Sequence, residues 1–450
     1  MKGEGVTMKI GVIGTGYVGL VTGVCLSDLG NDVICVDSDP EKLCSLRRYE
    51  VPFYEPGLDE KLKRNAMRGG LLFTDSISEM LQACTFIYIA VGTPPKETGE
   101  ADISAVMAVV DAVQHAILED NVSDKKILIT KSTVPVGTGE KIVARLEQGG
   151  VGCERVAVVS NPEFLREGSA VYDFFHPDRI VIGSTDDDAV SELVKLYKPL
   201  NRREVTIVRT SLVTAELSKY ASNCFLATKI SFINEMSRFC ELVGADVKDV
   251  AKIMGMDGRI GKYFLHAGPG YGGSCFSKDI RALLSTARSK GLDMQLIEQT
   301  EKVNEAQKVR VISLLKRVLT GGLKNKKVGV LGLAFKPETD DLREAPSLAI
   351  ISELVAMGCR VVASDPEAQE NAKRTVALPI EYVQNVYELA KEADALILVT
   401  EWHVFRDLDF RRLKQVMKQP LFFDLRNVYD MHVVQRAGFK YYSVGRPNNL

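Results

Sequence analysis

One cysteine in the sequence stands where a thiol could act as a nucleophile. Residues 268–280 read GPGYGGSCFSKDI, and a helix is predicted to begin directly after Cys275, over residues 277–290. The start of a helix carries a partial positive charge and Lys278 adds another, so both favour the thiolate form. The glycines before Cys275 leave the backbone open to a ligand. We therefore predict a nucleophile, with a buried cysteine in an ordinary loop as the alternative.

Two polar side chains interrupt a long apolar segment. Residues 210–244 contain no proline, have no glycine before Gly244, and predict one long helix with a cap at Thr210 or Ser211. Lys219 and Asn223 are four residues apart and therefore share a face of that helix. A lysine on a mostly apolar helix costs free energy unless it is paired or used, so the two could hold an oxyanion. A lysine that reaches solvent beside a solvated asparagine explains the pattern equally well.

Carboxylates that could move protons lie in two further places. Glu163 and Glu167 follow the apolar run VAVVS, and Asp279 lies four residues after Cys275. Glu163 or Asp279 could act on protons and water, as general bases do. The alternative for the two glutamates is a favourable interaction with the dipole of a helix that starts there.

The amino-terminal segment has the pattern of a dinucleotide site. Gly14, Gly16 and Gly19 follow a predicted strand and open a helix, and Asp37 ends the next strand about twenty residues on. Glycines at this spacing allow a pyrophosphate to approach the backbone N–H groups at the helix start. The Asp37 carboxylate can bind both ribose hydroxyls and would repel a 2′-phosphate, so the pattern predicts NAD rather than NADP.

Strand-like runs alternate with helical segments and would position all of these groups. The predicted strands are 9–14, 32–37, 86–92, 126–131, 156–160, 180–183 and 205–208, and then 326–333, 360–365, 395–400 and 421–426. Continuous apolar runs suit strands buried on both faces of a parallel sheet. We predict an α/β fold: two Rossmann-like doubly wound domains joined by a long central helix. Thr93 and Thr133 close two strands of the first sheet, where ligands bind in such folds. A plain turn at the end of a strand explains either residue equally well.

The predicted boundaries are residues 1–209 for an NAD-binding domain, 210–320 for a helical connector and dimerisation region, and 321–450 for a sugar-nucleotide domain. The first turn of the last domain lacks the three-glycine spacing.

Composition narrows the class of protein. The 450 residues are 46% hydrophobic and 26% charged, with a net charge of -2, so we expect neither a nucleic-acid partner nor a membrane. Nine cysteines without a CxxC spacing predict reduced thiols and a cytoplasmic protein. The five histidines are scattered, so we expect no metal site.

Seven motifs in order along the chain carry a resemblance to a known family. They are GTGYVG, GTP, STVP, NPEFLREGSAVYDFFHPDRIVIG, ELSKYASNCFLATKISFINE, GYGGSCFSKD and FKPETDDLREAPS. The sequence resembles the UDP-glucose/GDP-mannose dehydrogenase family, and within it the branch that acts on UDP-glucose. The resemblance implies an NAD-dependent four-electron oxidation of UDP-glucose to UDP-glucuronate. A cysteine thiohemiacetal and thioester are its implied intermediates, with two NADH per turnover. It also implies a homodimer or higher homo-oligomer through the central helix.

The same resemblance assigns roles to individual positions. The implied catalytic residues are Cys275, Lys219, Asn223, Asp279, Glu163 and Thr133. The implied cofactor contacts are Gly14, Gly16, Tyr17, Val18, Gly19, Asp37, Lys42, Thr93, Thr133, Glu167, Lys278 and Arg343. The implied substrate contacts are Glu163, Phe164, Leu165, Arg166, Glu167, Lys219, Asn223, Arg259, Phe264, Leu265, His266, Ala267, Gly268, Gly272, Lys336 and Arg426. Arg259 resembles an arginine that reaches the substrate of the neighbouring subunit.

Two positions depart from the family pattern. Ser277 stands where the family usually has proline, and Leu425 where it usually has glycine. Neither position carries a group that does chemistry. Two other activities compete with the prediction: oxidation of GDP-mannose, and oxidation of a UDP-N-acetylhexosamine. A non-catalytic NAD-binding scaffold is a third alternative, although it would not need Cys275, Lys219, Asn223 and Glu163 together.

Overall fold

The structure is a computed structural model that describes residues 7–120, 122, 124–203, 205–319 and 322–447. The chain divides into two compact units. The first contains Met1–Ser222 and Arg281–Gly291, and the second contains Asn223–Ile280 and Leu292–Leu450. The predicted boundary between residues 320 and 321, and the outer ends of the first and last predicted domains, lie outside the described residues.

The first unit is built on an eight-stranded sheet. Its strands are β1 Lys9–Ile13, β2 Asp32–Val36, β3 Leu71–Thr74, β4 Phe86–Ile89, β5 Lys126–Thr130, β6 Val156–Ser160, β7 Arg179–Gly183 and β8 Thr206–Thr210. They lie in the order β3-β2-β1-β4-β5-β6-β7-β8. Neighbours pair in parallel except β6 and β7, which meet antiparallel at Ser160 and Gly183. The first six strands follow the order typical of a Rossmann fold.

Helices lie along the connections of this sheet. They are α1 Tyr17–Asp28, α2 Pro40–Arg47, α3 Leu58–Met67, α4 Ile77–Ala83, α5 Ser104–Glu119, α6 Thr138–Gln148, α7 Ala170–Phe175 and α8 Asp187–Tyr197, with a short 3₁₀ helix at Lys198–Arg203. Every residue of β4 is buried, since alternate residues pack into two separate apolar clusters. Phe86 and Tyr88 join one cluster and Ile87 and Ile89 the other. A strand covered on both faces explains why the sequence there is apolar without alternation.

A group of helices follows the first sheet. They are α9 Leu212–Val243, α10 Val247–Gly255, α11 Phe276–Ser289 and α12 Gln295–Val318. The long helix α9 confirms the prediction for residues 210–244. The Ser211 Oγ accepts a hydrogen bond from the backbone N–H of Thr214 at 3.2 Å, which caps the start. Gly244 ends the helix with a φ of 77°. Residues 212–222 of α9 belong to the first unit and residues 223–243 to the second.

The second unit contains a six-stranded parallel sheet. Its strands are β9 Lys327–Leu331, β10 Arg360–Ser364, β11 Ile380–Tyr382, β12 Ala395–Leu398, β13 Leu421–Asp424 and β14 Lys440–Ser443. Their order is β11-β10-β9-β12-β13-β14, which repeats the order of the first six strands of the chain. The helices of this part are α13 Pro346–Ala356, α14 Gln369–Thr375, α15 Val386–Ala390, α16 Phe410–Val416 and α17 Met431–Arg436, with a 3₁₀ turn at His403–Phe405. The prediction of two Rossmann-like sheets joined by a long helix is confirmed. Across the described part of the chain, the helices lack the combination of length and hydropathy that a membrane crossing needs.

Candidate active site

The turn between β1 and α1 has the geometry of a dinucleotide site. Gly14 has a φ of 97°, a conformation that side chains other than glycine rarely adopt. A Cβ at Gly19 would lie 1.9 Å from the Gly14 carbonyl oxygen, so glycine is needed for the helix to pack on the turn. A Cβ at Gly16 would meet nothing within 4 Å. That open space lies at the N-cap of α1, directly before Tyr17 and Val18, where a pyrophosphate could approach the N–H groups.

Asp37 lies at the end of β2 beside this turn. Its Oδ2 accepts hydrogen bonds from the backbone N–H of Thr15 at 2.8 Å and from the Thr15 hydroxyl at 2.6 Å. Lys42 Nζ lies 3.1 Å from the same oxygen. Burial alone would raise the pKa of Asp37, but the hydrogen bonds from Thr15, Asp39 and Lys42 outweigh it and lower the pKa below its ordinary value. Asp37 is therefore an anion that can accept hydrogen bonds from ribose hydroxyls.

The loops after β4 and β5 meet at the same edge of the sheet. The Thr93 hydroxyl donates to the carbonyl oxygen of Thr133 at 2.8 Å. The Ser132 hydroxyl donates to the carbonyl oxygen of Val91 at 2.7 Å. These bonds hold the two threonine-bearing loops together at the carboxyl ends of adjacent strands, where ligands of Rossmann folds bind.

A buried ion pair joins two of the predicted catalytic residues. Lys219 Nζ lies 2.9 Å from Glu163 Oε1, and each side chain is only 5% exposed. Phe164 packs beside the pair, with its ring centroid 5.5 Å from Lys219 Nζ and 3.7 Å from the Arg179 guanidinium carbon. Because water is excluded from this pair, the electrostatic attraction between the ammonium and the carboxylate is stronger than in an exposed pair.

The residues that follow Glu163 are fixed by hydrogen bonds within their own part of the chain. Leu165 donates its backbone N–H to Glu163 Oε2, which orients the carboxylate. Arg166 is paired with Asp173 through both its backbone N–H and its guanidinium, and this pairing raises the pKa of Arg166. Glu167 is half-buried one residue before Gly168. Arg166 is therefore bound to its own segment in this conformation.

In the second unit, a polar group lies within one helical turn of Cys275. The thiol is half-buried, and the backbone N–H of Asp279 donates to the carbonyl oxygen of Cys275 at 2.9 Å as α11 begins. The Asn223 Nδ2 donates to Asp279 Oδ2 at 2.6 Å. Lys278 Nζ lies 2.8 Å from Asp279 Oδ1, and Asp279 is 1% exposed. A partly accessible thiol thus lies one helical turn before a buried carboxylate that is held by a lysine and an asparagine.

The glycine-rich loop before Cys275 is fixed by its backbone. Asn234 and Asn304, on α9 and α12, accept hydrogen bonds from the backbone N–H groups of Gly268 and Tyr271 at 2.9 and 2.8 Å. The backbone N–H of Gly273 donates to the carbonyl oxygen of Arg343 at 2.8 Å. A Cβ at Gly272 would lie 2.4 Å from the Glu344 carbonyl oxygen, so the loop packs directly against the segment that contains Arg343.

Further predicted substrate contacts lie in or beside this loop. Phe264 has a φ of 63° and packs its ring against Phe276 at the start of α11. Arg426 lies against Gly268, where a Cβ would be 3.3 Å from its guanidinium, and its Nε is 3.0 Å from Glu401. Of the intervening residues Leu265, His266 and Ala267, the first and last are buried and the histidine is exposed.

Two other predicted residues lie on loops. Lys336 is half-buried and extends over the ring of Phe335 at 5.6 Å. The Arg259 side chain is 90% exposed and pairs with Asp257 on its own loop. The structure therefore gathers Cys275, Asn223, Lys278 and Asp279 into one group and Glu163 with Lys219 into another, whereas Arg259 points to solvent. Among the described residues, His, Cys, Asp and Glu side chains form no cluster of three suited to a metal ion.

The two departures from the family pattern are buried. Ser277 is 1% exposed at the start of α11, and its hydroxyl has no hydrogen-bond partner among the described residues. Leu425 is fully buried directly after β13. Both side chains are part of the packing of the second unit.

Sequence reasoning missed Lys131, a buried lysine at the end of β5. Its Nζ donates to Asn161 Oδ1 at 3.0 Å. Lys131 and Asn161 each directly follow a strand, and β5 and β6 are neighbours. Because polar residues that follow adjacent parallel strands converge at one edge, this arrangement is a signal that could have found the pair.

Comparison with known proteins identifies the family. Residues 8–201 match the NAD-binding domain of the UDP-glucose/GDP-mannose dehydrogenase family, residues 213–306 its central domain and residues 329–431 its UDP-binding domain. The chain belongs to this family. It is 46% identical over 444 residues to a UDP-glucose 6-dehydrogenase of Rhizobium meliloti, with 98% of this chain and all of the relative covered.

Solved structures of the family share the fold. A UDP-glucose dehydrogenase from Pyrobaculum islandicum superimposes with a TM-score of 0.91 at 38% identity over 99% of both chains. A UDP-D-ManNAc dehydrogenase from Pyrococcus horikoshii gives a TM-score of 0.84 at 26% identity over 98% of this chain and 100% of that one. Like the family, this chain is an NAD-dependent oxidoreductase, and the open turn at Gly16 beside the Asp37 anion fits that cofactor.

Proposed function

We propose that the protein oxidises UDP-glucose to UDP-glucuronate in two steps on one cysteine. The observation that carries the proposal is the group formed by Asn223, Lys278 and Asp279 within one helical turn of the half-buried Cys275. The higher similarity to a UDP-glucose dehydrogenase than to a UDP-D-ManNAc dehydrogenase supports the choice of substrate.

Cys275 carries the sugar between the two oxidations. The first oxidation removes a hydride and a proton from the C6 alcohol and leaves an aldehyde. The thiolate of Cys275 adds to the aldehyde carbon, and the oxygen takes a proton to form a thiohemiacetal. Loss of a second hydride from the same carbon and a proton from the oxygen leaves a thioester. Water then adds, the carbon–sulfur bond breaks, and the thiolate and the carboxylate of UDP-glucuronate are released.

The neighbouring polar groups control charge and protons in these steps. Lys219 and Asn223, four residues apart on α9, are assigned to the oxyanion. Asp279 is assigned to proton transfer at the thiol and alcohol, and Glu163 to the water that hydrolyses the thioester, with Thr133 helping to order that water. The contact of Glu163 with Lys219 supports a carboxylate that is fixed in orientation.

The remaining assignments concern binding. NAD, when bound, accepts one hydride in each oxidation. We assign it to Gly14, Gly16, Tyr17, Val18, Gly19, Asp37, Lys42, Thr93, Thr133, Glu167, Lys278 and Arg343. We assign the sugar nucleotide to residues 163–167, Lys219, Asn223, residues 264–268, Gly272, Lys336 and Arg426, with Arg259 reaching the substrate of a neighbouring subunit.

Substitution of the nucleophile tests the mechanism. Cys275→Ala should abolish acid formation, because no thiol remains to capture the aldehyde. NAD binding should survive, since the turn at Gly14 and Asp37 is untouched. The matched control is Cys153→Ala, which removes an exposed thiol elsewhere. NADH and glucuronate should be counted together, with two NADH per acid in the unaltered protein and in the control.

Three results would contradict the proposal. Acid formation by Cys275→Ala at an appreciable fraction of the normal rate would exclude the covalent route. NADH production with GDP-mannose or a UDP-N-acetylhexosamine, but not with UDP-glucose, would assign a different substrate. NAD binding without turnover on any sugar nucleotide would indicate a non-catalytic scaffold.

The domain organisation and assembly are further parts of the proposal. We assign residues 1–209 to NAD, 210–320 to a connector and 321–450 to UDP-sugar binding. Phe225, Phe232 and Phe239 recur every seven residues on α9 and are 66, 43 and 58% exposed. An exposed aromatic stripe along one helix face supports pairing with a second copy of the chain. Sedimentation velocity should give a dimer or a higher oligomer, and a monomer at micromolar concentration would contradict this.

We also propose that the protein works in the cytoplasm. All nine cysteines are free thiols, which suits a reducing compartment. Cell fractionation measures this directly, and recovery outside the cytoplasm would contradict it.

A further inference from the structure

Lys131 is a buried cation that the proposed reaction leaves without a role. Its side chain is 7% exposed, directly after β5. The ammonium donates to Asn161 Oδ1 at 3.0 Å, and the Tyr197 hydroxyl donates to the same oxygen at 2.6 Å. Tyr197 in turn shares a hydrogen bond of 3.0 Å with the Tyr88 hydroxyl.

Keeping a charge in this place is costly. An ammonium has three donors, and in the described part of the chain Asn161 Oδ1 is the one acceptor within hydrogen-bond distance of the Lys131 ammonium. Burial lowers the pKa of Lys131 to about 8; the charge of Glu163 opposes this shift and that of Lys219 adds to it. An apolar residue would fill the same space without the desolvation cost, so the lysine needs another explanation.

Asn161 connects Lys131 to the predicted base. Its backbone N–H donates to the Thr130 carbonyl oxygen at 3.0 Å, and its Nδ2 donates to the Val181 carbonyl oxygen at 2.7 Å. Because Nδ2 faces a carbonyl, Oδ1 must face the donors of Lys131 and Tyr197. The next residues are Pro162, whose ring restricts the backbone, and Glu163.

The charges around Glu163 agree with this arrangement. Glu163 Oε1 is paired with Lys219 at 2.9 Å, and Glu163 also acts electrostatically on Lys131 and on the partly buried Arg179. Glu163 therefore interacts with three cations, and among the described residues Lys219 is the cation in direct contact with it. Lys131 instead donates to Asn161, which lies two residues before Glu163 in the chain.

We propose that Lys131 is a positioning residue for thioester hydrolysis, because it holds the segment of Asn161, Pro162 and Glu163 in the orientation that lets Glu163 take a proton from water. The inference rests on the proposed function, which assigns that step to Glu163. It predicts that loss of Lys131 slows release of the acid and leaves the two oxidations almost unchanged.

Lys131→Met tests the inference, since it removes the ammonium and keeps an apolar chain of similar length. The matched control is Lys126→Met. Lys126 is 3% exposed at the other end of the same strand, where its Nζ donates to the Cys84 carbonyl oxygen at 2.9 Å. The control therefore measures the effect of removing any buried lysine from β5. Thermal unfolding of both variants establishes that they are folded.

The expected result is a selective loss in one step. The kcat of Lys131→Met for acid formation should fall about tenfold to a hundredfold, as for a catalytic group displaced by about 1 Å. Because only a step after both oxidations is slowed, kcat/KM for UDP-glucose and NAD should be almost unchanged, and the KM values should therefore fall together with kcat. Rapid mixing should show a burst of two NADH per site, and intact-protein mass spectrometry should find the sugar thioester on Cys275. Lys126→Met should show neither the burst nor the adduct.

A second variant covers the case in which Lys131→Met does not fold. Lys131→Gln keeps a neutral N–H donor toward Asn161, so it should accumulate less thioester than Lys131→Met. If Lys131→Met is unfolded, Lys131→Gln should still hydrolyse the thioester at a measurable rate below that of the unaltered protein. Four results would overturn the inference. They are a normal rate of acid formation in Lys131→Met, an equal loss of rate in Lys126→Met, a loss of rate in Lys131→Met without a burst of NADH, and a Lys131→Gln variant that does not hydrolyse the thioester. Absence of acid formation by the unaltered protein would instead overturn the proposed function, and this inference with it.

Discussion

The first turns of the two sheets begin alike and then diverge. In β1 and β9 the strand ends at a glycine with a φ near 95°, Gly14 at 97° and Gly332 at 95°. Each glycine donates its N–H to the last residue of the neighbouring strand at 2.8 Å, to Val36 in one sheet and to Ser364 in the other. The two sheets therefore have the same backbone geometry at the end of their first strand.

After this glycine, only the turn of the first sheet stays open to a ligand. Helix α1 begins at Tyr17, three residues after Gly14, so its N-terminal N–H groups face the turn. In the second sheet α13 begins only at Pro346, and Ala334, two residues after Gly332, is fully buried with its carbonyl oxygen bound to the Thr400 hydroxyl. The second turn has no free helix start for a pyrophosphate, and its long loop instead contains Lys336 and Arg343.

The acidic residues that end the second strand of each sheet differ in the same way. Asp37 is 9% exposed and accepts hydrogen bonds from the rotatable groups of Thr15 and Lys42 as well as from backbone. Asp365 is 2% exposed and accepts from four backbone N–H groups and from the indole of Trp402. A ligand can replace a lysine or a hydroxyl, but not fixed backbone donors. Asp37 is therefore suited to bind a ribose, whereas Asp365 stabilises the fold. Similarity of fold alone does not assign a ligand.

The first prediction concerns stability and tests whether Asp37 and Asp365 differ. Asp365→Ala should lower the free energy of unfolding by about 4 kcal/mol or more, because it leaves several buried N–H donors without an acceptor at about 1–3 kcal/mol each. Asp37→Ala should cost only about 1–2 kcal/mol, because the Thr15 hydroxyl and Lys42 can rotate to other partners and one buried backbone N–H, that of Thr15, loses its acceptor. Urea unfolding monitored by the fluorescence of Trp402, the single tryptophan, measures the first change directly. Similar losses in the two variants would show that the aspartates are equivalent.

The sequence predicted the parts of both sheets that are buried on both faces. The strands that it missed are β3, β11 and β14, and all three are edge strands. In β3 Leu72 is 54% exposed, and β11 is only Ile380–Tyr382. An edge strand lacks a neighbour and often a cover, so its sequence loses the continuous apolar run that marks a central strand.

The candidate site also contains residues that the sequence indicated and residues that it did not. Cys275 was predictable because glycines, a helix start and a lysine are adjacent in the sequence. Lys131 was not predictable from its neighbours in the sequence, because its burial depends on Asn161 and Tyr197, which lie 30 and 66 residues further along the chain, and the pairing of β5 with β6 is the signal that could have indicated it. A lysine at the end of a strand has the same sequence pattern whether it reaches solvent or an asparagine. Side chains that meet through tertiary contacts have no local signal.

The second prediction concerns the contribution of Asp37 to the affinity for the cofactor. Asp37→Ala should weaken NAD binding by about tenfold to a hundredfold, the usual loss for hydrogen bonds to a charged group. NADP should bind better than before, because the repulsive carboxylate is gone and Lys42, now released from its partner at 3.1 Å, can meet a 2′-phosphate. Titration of both cofactors by NADH and NADPH fluorescence separates the effects. The double variant Asp37→Ala with Lys42→Ala should lose the gain for NADP, and a gain that persists there would contradict this role of Lys42.

The smallest expected effect concerns the open space at Gly16. A Cβ there meets nothing within 4 Å and the φ is -74°, so Gly16→Ala should change the free energy of unfolding by less than about 0.5 kcal/mol. The methyl group would nevertheless occupy the approach of the pyrophosphate to the start of α1, so NAD affinity should fall by roughly 1 kcal/mol, about fivefold. Gly258→Ala is the matched control, because its Cβ would also meet nothing within 4 Å and it lies in the other unit. Calorimetric titration with NAD decides between two explanations of the glycine. If Gly16→Ala binds NAD as tightly as Gly258→Ala does, Gly16 is a feature of the turn alone, and the ligand-binding difference between the two turns depends on Asp37 and the helix start.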